Sequence, residues 1–153
     1  MHGIYNAAKY SLKLEIRVVL QRPTLARLPQ LSDFIYRNFP FVNHIALMGL
    51  ENMGYAVKNW DQLWMDPVDY APILERCVRS LFLRRMHVSL YNHQLCTLPQ
   101  SLWWFARKSI SDYKTTYLEE CQTCEAQEMC GGLFTSSKQK QSRSLQPIRR
   151  NSR

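Results

Sequence analysis

Four cysteines carry the clearest chemical signal in this sequence of 153 residues. Three of them form a Cys-x2-Cys-x5-Cys cluster that two glycines follow, and the fourth lies upstream: Cys121, Cys124, Cys130 and Cys96. Two thiols at this spacing can bind one centre from a single turn, and glycine lets the backbone approach bulky inorganic sulfide. The spacing predicts a metal site with Cys96 as its fourth ligand. Thiolates suit zinc and iron–sulfur centres alike, so the ligand type leaves both open.

The remaining cysteine and two of the histidines are interpreted as structural. Cys77 lies on the apolar face of a predicted helix, where a lone cysteine packs as a small apolar side chain. His44 and His87 fall on predicted strands, and neither has an identified carboxylate partner for acid–base work. No catalytic residue is therefore assigned.

Three strands and two helices are predicted to position these side chains. Apolar alternation and short apolar runs predict strands over 14–20, 43–48 and 86–91. Apolar residues at spacings of three and four predict helices over 25–39 and 67–84, the second with Asp66 as its N-cap. This order is a βαβαβ unit, in which the strands are parallel and helices bury one face of the sheet.

The other face of the predicted sheet is unusually polar. It carries Glu15, Arg17, His44, Met48, His87, Ser89 and Tyr91. A parallel sheet that is covered by helices on both faces is apolar on both. A sheet curved around a substrate-filled lumen accounts for the polarity better, so the predicted fold class is α/β, a partial (β/α) barrel followed by a cysteine-rich segment.

Most of the net charge of +8 lies at the C-terminus. Residues 135–153 contain six cations and no acidic residue, and they are rich in Ser and Gln. Such a segment buries too little apolar surface to offset the entropy of ordering it, which predicts a disordered basic tail rather than a nucleic-acid contact. The alternative is a zinc- or iron–sulfur-stabilised module that binds nucleic acid or an acidic partner, with a steep dependence on salt.

The rest of the composition bears on the compartment. No apolar run approaches the roughly 18 residues that span a bilayer, and the N-terminus lacks the apolar stretch of a signal peptide. Five cysteines, an odd number with three crowded together, suit metal ligation in a reducing compartment better than a disulfide framework. We therefore expect a cytoplasmic protein with no membrane partner.

Three segments resemble one family of enzymes. LYNHQLCTLPQSLWWFARKSISDYK and YLEECQTCEAQEMCGGLF resemble the C-terminal region of the His-Xaa-Ser system radical SAM maturases, and LPQLSDFIYRNFPFVNHIALMGLENMGYAV resembles their middle region. The resemblance implies half of a radical SAM partial barrel over 1–95, an auxiliary 4Fe-4S segment over 96–134 and the basic tail over 135–153. It also implies that Cys96, Cys121, Cys124 and Cys130 hold the auxiliary cluster.

The same resemblance implies a cofactor site at the later strands of the barrel, which help to hold the adenosine part of S-adenosylmethionine. The residues that match this region are Arg17 on the first strand, Met48, Gly49 and Glu51 at the second, and Ser89 and Asn92 at the third. Glu51 and Asn92 fall just past strand ends, where α/β sheets and barrels place their ligands.

One departure from the family concerns the catalytic cluster. The Cys-x3-Cys-x2-Cys motif and the Gly- and Glu-containing segment that binds the methionine part of the cofactor do not occur in these 153 residues. The sequence therefore looks like the C-terminal half of a peptide-modifying maturase, truncated or in need of a partner that supplies the missing N-terminal half. We expect a peptide substrate, S-adenosylmethionine binding only with that half, and no 5′-deoxyadenosine from this chain alone.

Overall fold

A parallel sheet of three strands forms the centre of the fold. The computed structural model describes residues 2–137 and 141–149. The strands lie side by side in chain order, namely β1 (Glu15–Leu20), β2 (His44–Gly49) and β3 (Val88–Tyr91). The predicted α/β class and the three parallel strands are thus confirmed, with boundaries that differ from the predicted ones by one or two residues.

Six α-helices flank the strands in the described part of the chain. They are α1 (His2–Lys9), α2 (Arg22–Leu25), α3 (Leu28–Asn38), α4 (Tyr55–Lys58), α5 (Trp60–Leu63) and α6 (Pro67–Leu83). The helix predicted over 25–39 is split, because Pro29 lies in the first turn of α3. Proline has no backbone N–H and cannot continue the hydrogen bonds of α2, but it is well tolerated where a new helix begins. None of the described helices is long and apolar enough to cross a bilayer.

Helices α3 and α6 pack against each other and enclose the core on one face of the sheet. The strand register aligns Ile16, Ile45 and Val88 in one row of this face and Val18, Leu47 and Leu90 in the next. Leu74 and Val78 of α6 are fully buried in the same core. Asp66 begins α6 as predicted, since its side chain accepts a hydrogen bond from the Val68 amide at 3.2 Å.

The chain after β3 consists of short turns. Six 3-10 helices cover Leu95–Thr97, Gln100–Phe105, Asp112–Lys114, Glu119–Thr123, Gln127–Met129 and Thr135–Ser137. Two short strands, β4 (Thr115–Thr116) and β5 (Leu133–Phe134), form a separate antiparallel ladder. Residues 141–149, which the sequence places in a disordered tail, lie against α6 and the cysteine-rich segment through contacts given below. Residues 138–140 and 150–153 of that predicted tail lie outside the described residues.

Candidate functional site

A loop closed by the β4–β5 ladder carries three of the four predicted ligands. The ladder pairs Thr116 with Leu133, so the chain returns to its starting point after passing through the cysteine cluster. Gly132 has a φ of +69°, and a Cβ at this position would lie 2.7 Å from the Thr115 side chain. Only glycine fits this closure without strain. The hydroxyl of Tyr117 donates to the Cys130 carbonyl at 2.9 Å and joins the two ends of the loop next to the ladder.

The fourth cysteine reaches the same place from the end of the sheet. Cys96 lies on the 3-10 turn Leu95–Thr97 just after β3. All four predicted ligands line one cavity, together with apolar side chains: Cys96, Cys121, Cys124, Cys130, Leu95, Ala126, Leu133, Leu145 and Ile148. The structure therefore brings the cysteine set together, whereas Cys77 is buried in the core.

The environment of the sulfurs is apolar but supplies backbone hydrogen bonds. The Ile148 amide donates to Cys124 Sγ at 3.3 Å, and the Gly132 amide donates to Cys130 Sγ at 3.5 Å. Burial raises the pKa of the Cys96 and Cys121 thiols, and the neighbouring cysteines raise it further. Thiolates would thus form here together with a positive centre that compensates their charge.

The structure brings the four cysteines to one cavity but does not arrange them as a metal-binding group. Among residues 2–137 and 141–149, no group of three or more His, Cys, Asp or Glu side chains is arranged to hold a metal ion. The metal site predicted from the sequence therefore stays a prediction.

Residues 141–149, here called the C-terminal strap, close one side of the cysteine cavity. The Glu125 amide donates to the Ile148 carbonyl at 3.0 Å. At the other end of the strap, the buried carboxylate of Asp66 accepts from the Ser142 hydroxyl at 2.6 Å and from the Arg143 amide at 2.9 Å. The Arg143 guanidinium also pairs with Asp69. The sequence interpretation missed this role, although Leu145 and Ile148 are apolar residues within an otherwise polar tail.

Two of the residues predicted for cofactor binding meet at the carboxyl ends of the strands. Gly49 and Asn92 line a second cavity with Leu20, Trp60 and Tyr70. Asn92 has a φ of +60° and donates from Nδ2 to the Gly49 carbonyl at 3.4 Å. A Cβ at Gly49 would lie only 2.6 Å from the Asn92 carbonyl oxygen, so this close approach requires glycine.

The other predicted cofactor residues lie elsewhere. Glu51 follows β2 and accepts from the Ser136 hydroxyl at 3.5 Å, and burial raises the pKa of its carboxyl. Arg17, Met48 and Ser89 occupy the sheet face opposite the helices and are not part of the strand-end cavity lining. The predicted set is therefore divided between the carboxyl ends of the strands and the sheet face opposite the helices.

The interpretation of His44 as a histidine without a carboxylate partner is wrong. Its Nδ1 lies 2.5 Å from Glu15 Oε2, and its Nε2 lies 2.8 Å from Ser89 Oγ. Alternation placed all three residues on one face, but only the strand register, which pairs Glu15 with His44, shows that they touch. His87 is exposed on the same side of the sheet.

A buried histidine was also missed in the sequence. His93 donates from Nδ1 to the Tyr91 carbonyl at 2.8 Å and accepts at Nε2 from the Tyr70 hydroxyl at 3.0 Å. Burial lowers the pKa of His93 to about 4, so the ring is neutral at pH 7. Its position right after β3, where the predicted strand ended, gave no signal of burial.

Comparison with models of protein families, with curated proteins and with solved structures found no match. The resemblance to radical SAM maturases therefore depends on the residues quoted from the sequence, and the chemistry of the site depends on the geometry described above.

Proposed function

We propose that this chain is the C-terminal part of a radical SAM peptide maturase and holds an auxiliary 4Fe-4S cluster through Cys96, Cys121, Cys124 and Cys130. The observation that supports the proposal is that these four side chains, drawn from two separate segments, line one apolar cavity. Soft thiolates select iron–sulfur clusters and zinc over harder cations. When bound, such a cluster supplies a redox centre that can poise or bind a peptide substrate.

The resemblance to the maturases is what favours a cluster over zinc, because four thiolates suit both centres. All four cysteines line the same cavity, as either centre would require. The amides of Ile148 and Gly132 are donors of the kind that tune iron–sulfur centres by bonding to their sulfurs.

The sheet supports the barrel part of the proposal. Three parallel strands carry apolar side chains on the helix side, and the other side carries polar residues beside Val19, Ala46 and Met48, which suits the wall of a partly polar lumen. The cavity beside Gly49 and Asn92 lies at the carboxyl ends of the strands, where barrels bind their ligands. In this proposal it takes the adenosine part of S-adenosylmethionine once the N-terminal half is supplied.

The alternative of a nucleic-acid module loses support from the strap. Arg143 is the described tail cation with the most contacts, and these go to the carboxylates of Asp66 and Asp69. A guanidinium that is paired with two carboxylates is poorly placed to neutralise phosphates.

The test is metal analysis of protein that is purified and reconstituted without oxygen. We expect about four irons and four sulfides per chain, with the broad visible absorption of a 4Fe-4S cluster. About one zinc per chain and no sulfide would replace the cluster by a structural zinc site. The variant Cys124→Ala should lose iron, and Cys77→Ala, which leaves the cavity intact, should retain it.

A further inference from the structure

A chain of hydrogen bonds crosses the polar face of the sheet through one residue from each strand. Glu15 of β1 bonds to His44 of β2 at 2.5 Å, and His44 bonds to Ser89 of β3 at 2.8 Å. The two bonds use opposite nitrogens of the imidazole ring. Carboxylate, imidazole and hydroxyl in this order are the parts of an activated serine nucleophile.

The strand register fixes this geometry. Glu15 pairs directly with His44 across the first ladder, and Ser89 pairs with Ala46, two residues beyond His44 on the same face. Direct and diagonal neighbours on one face of a sheet are close enough for their side chains to bond. Because all three residues lie on paired strands, the arrangement does not depend on a mobile loop.

The charges along the chain of bonds set the direction of proton transfer. Hydrogen bonds from Arg17 and then from His44 hold the pKa of Glu15 below its usual range. An ionised Glu15 accepts the Nδ1–H of His44, which leaves Nε2 as the atom that takes a proton from the Ser89 hydroxyl. Both ring nitrogens of His44 are hydrogen-bonded. The hydroxyl oxygen of Ser89 is therefore the atom of this relay that can attack a substrate.

Ser89 and His44 face an open groove that can admit a ligand. Its walls are the aromatic side chains of Phe82, Trp104 and Phe105, and Trp104 is 77% exposed. Two cations, Arg85 and Arg107, line the same groove. The combination suits an acyl group with an apolar body and a terminal carboxylate.

We propose that Ser89, activated by His44 and Glu15, is the nucleophile of an acyl-ester hydrolysis site that works independently of the cysteine cavity. Ser89 Oγ forms a bond to the ester carbonyl carbon while its proton moves to His44 Nε2. The alkoxide leaves with that proton, and an acyl-serine remains. Water then gives a proton to His44, its oxygen bonds to the acyl carbon, and the carboxylic acid leaves as Ser89 regains the proton.

A fluorophosphonate probe tests the proposal on the full chain. Attack by Ser89 Oγ on phosphorus displaces fluoride, and mass spectrometry of the digested protein locates the adduct. We expect one adduct, on Ser89, none in Ser89→Ala, and labelling at least about 100-fold slower in His44→Gln, the usual minimum effect of a general base. Glu15→Gln should also slow it, and His2→Gln, an exposed histidine of α1 that does not line the groove, should not.

Circular dichroism of each variant separates lost chemistry from lost folding. The absence of a Ser89 adduct in folded protein would overturn the proposal, as would labelling that proceeds equally fast in folded His44→Gln. Because the relay contains no cysteine, this result is independent of whether the chain binds iron. In folded protein that has not been treated with the probe, faster hydrolysis of p-nitrophenyl hemisuccinate than of p-nitrophenyl butyrate would support the substrate class, and the reverse preference would overturn it.

Discussion

The backbone amide of Ile148 lies 3.3 Å from the sulfur of Cys124, although the two residues belong to different segments of the C-terminal region. The strap that carries Ile148 is bound at its other end to Asp66, the N-cap of α6. The described part of the tail therefore takes part in the candidate site instead of extending into solvent. The hydrogen bond from its Ile148 amide to Cys124 would change the reduction potential of a cluster bound by the cysteines.

If the proposed 4Fe-4S cluster is present, removing the Ile148 amide should lower its reduction potential. Proline at this position has no N–H, so Ile148→Pro deletes the donor to Cys124 Sγ, while Ile148→Val keeps it. Hydrogen bonds to cluster sulfurs stabilise the reduced, more negative state, so their loss favours the oxidised state. Redox titration followed by electron paramagnetic resonance measures the shift. Equal potentials in the proline and valine variants would contradict the assigned role of this amide.

Asp66 should contribute more to stability than an ordinary N-cap. It accepts from the Val68 amide of its own helix and from the Ser142 hydroxyl and Arg143 amide of the strap. Asp66→Ala should lower the free energy of unfolding by about 2–4 kcal/mol, since it removes the cap of α6 and both hydrogen bonds to the strap. Ser142→Ala removes a single bond and should lower it by about 1 kcal/mol. Urea denaturation of both variants measures the difference. Similar losses of unfolding free energy would show that Asp66 does not stabilise both its own helix and the strap.

The sheet was predictable because its information is local. The alternation in residues 14–20 specifies which side chains of β1 face the core, and the parallel order follows from the helices between strands. The split at Pro29 could have been anticipated from proline chemistry, but the apolar spacing of the surrounding residues suggested one continuous helix.

The candidate site was predictable only in part, because its geometry is not local. The cysteine spacing indicated three members of the set. The fourth, Cys96, lies beside them only because β3 ends a few residues before it. The Glu15–His44–Ser89 contact depends on the register of three strands, which alternation does not reveal. The strap was missed because Asp66, its acceptor, lies more than seventy residues earlier in the chain.

Gly49 should be intolerant of even the smallest side chain. A Cβ there would lie 2.6 Å from the carbonyl oxygen of Asn92, a backbone atom that cannot rotate away. Gly49→Ala should therefore lower the free energy of unfolding by about 1–3 kcal/mol. Gly3→Ala, in α1 with nothing within 4 Å of the added atom, should be neutral or stabilising by up to about 1 kcal/mol. Chemical denaturation compares the two variants. An unchanged free energy of unfolding in Gly49→Ala would contradict the close approach of the Gly49 and Asn92 backbones.

His93 should make the protein less stable in mild acid. Its pKa is about 4 in the folded state, below the ordinary value of 6.5, because burial disfavours the charged ring. Below pH 6.5 the unfolded chain binds a proton that the folded chain does not, so stability falls as the pH drops from 6.5 towards 4. The full loss is about 3 kcal/mol. Urea denaturation across this range should give a flatter profile for His93→Gln than for the wild-type protein. An unchanged slope in folded His93→Gln would assign the acid sensitivity to other groups.

The most direct test of the metal centre is the iron and sulfide content of Cys96→Ala beside that of Cys77→Ala, both reconstituted without oxygen. Cys96 is distant in sequence from the other three cysteines and joins them only in the folded cavity, so this comparison tests whether that cavity holds the metal. We predict that Cys77→Ala retains about four irons and four sulfides per chain and that Cys96→Ala retains clearly fewer or holds a cluster of lower iron content. Equal iron and sulfide in the two variants, or none in the wild-type protein, would contradict a cluster held by these four cysteines.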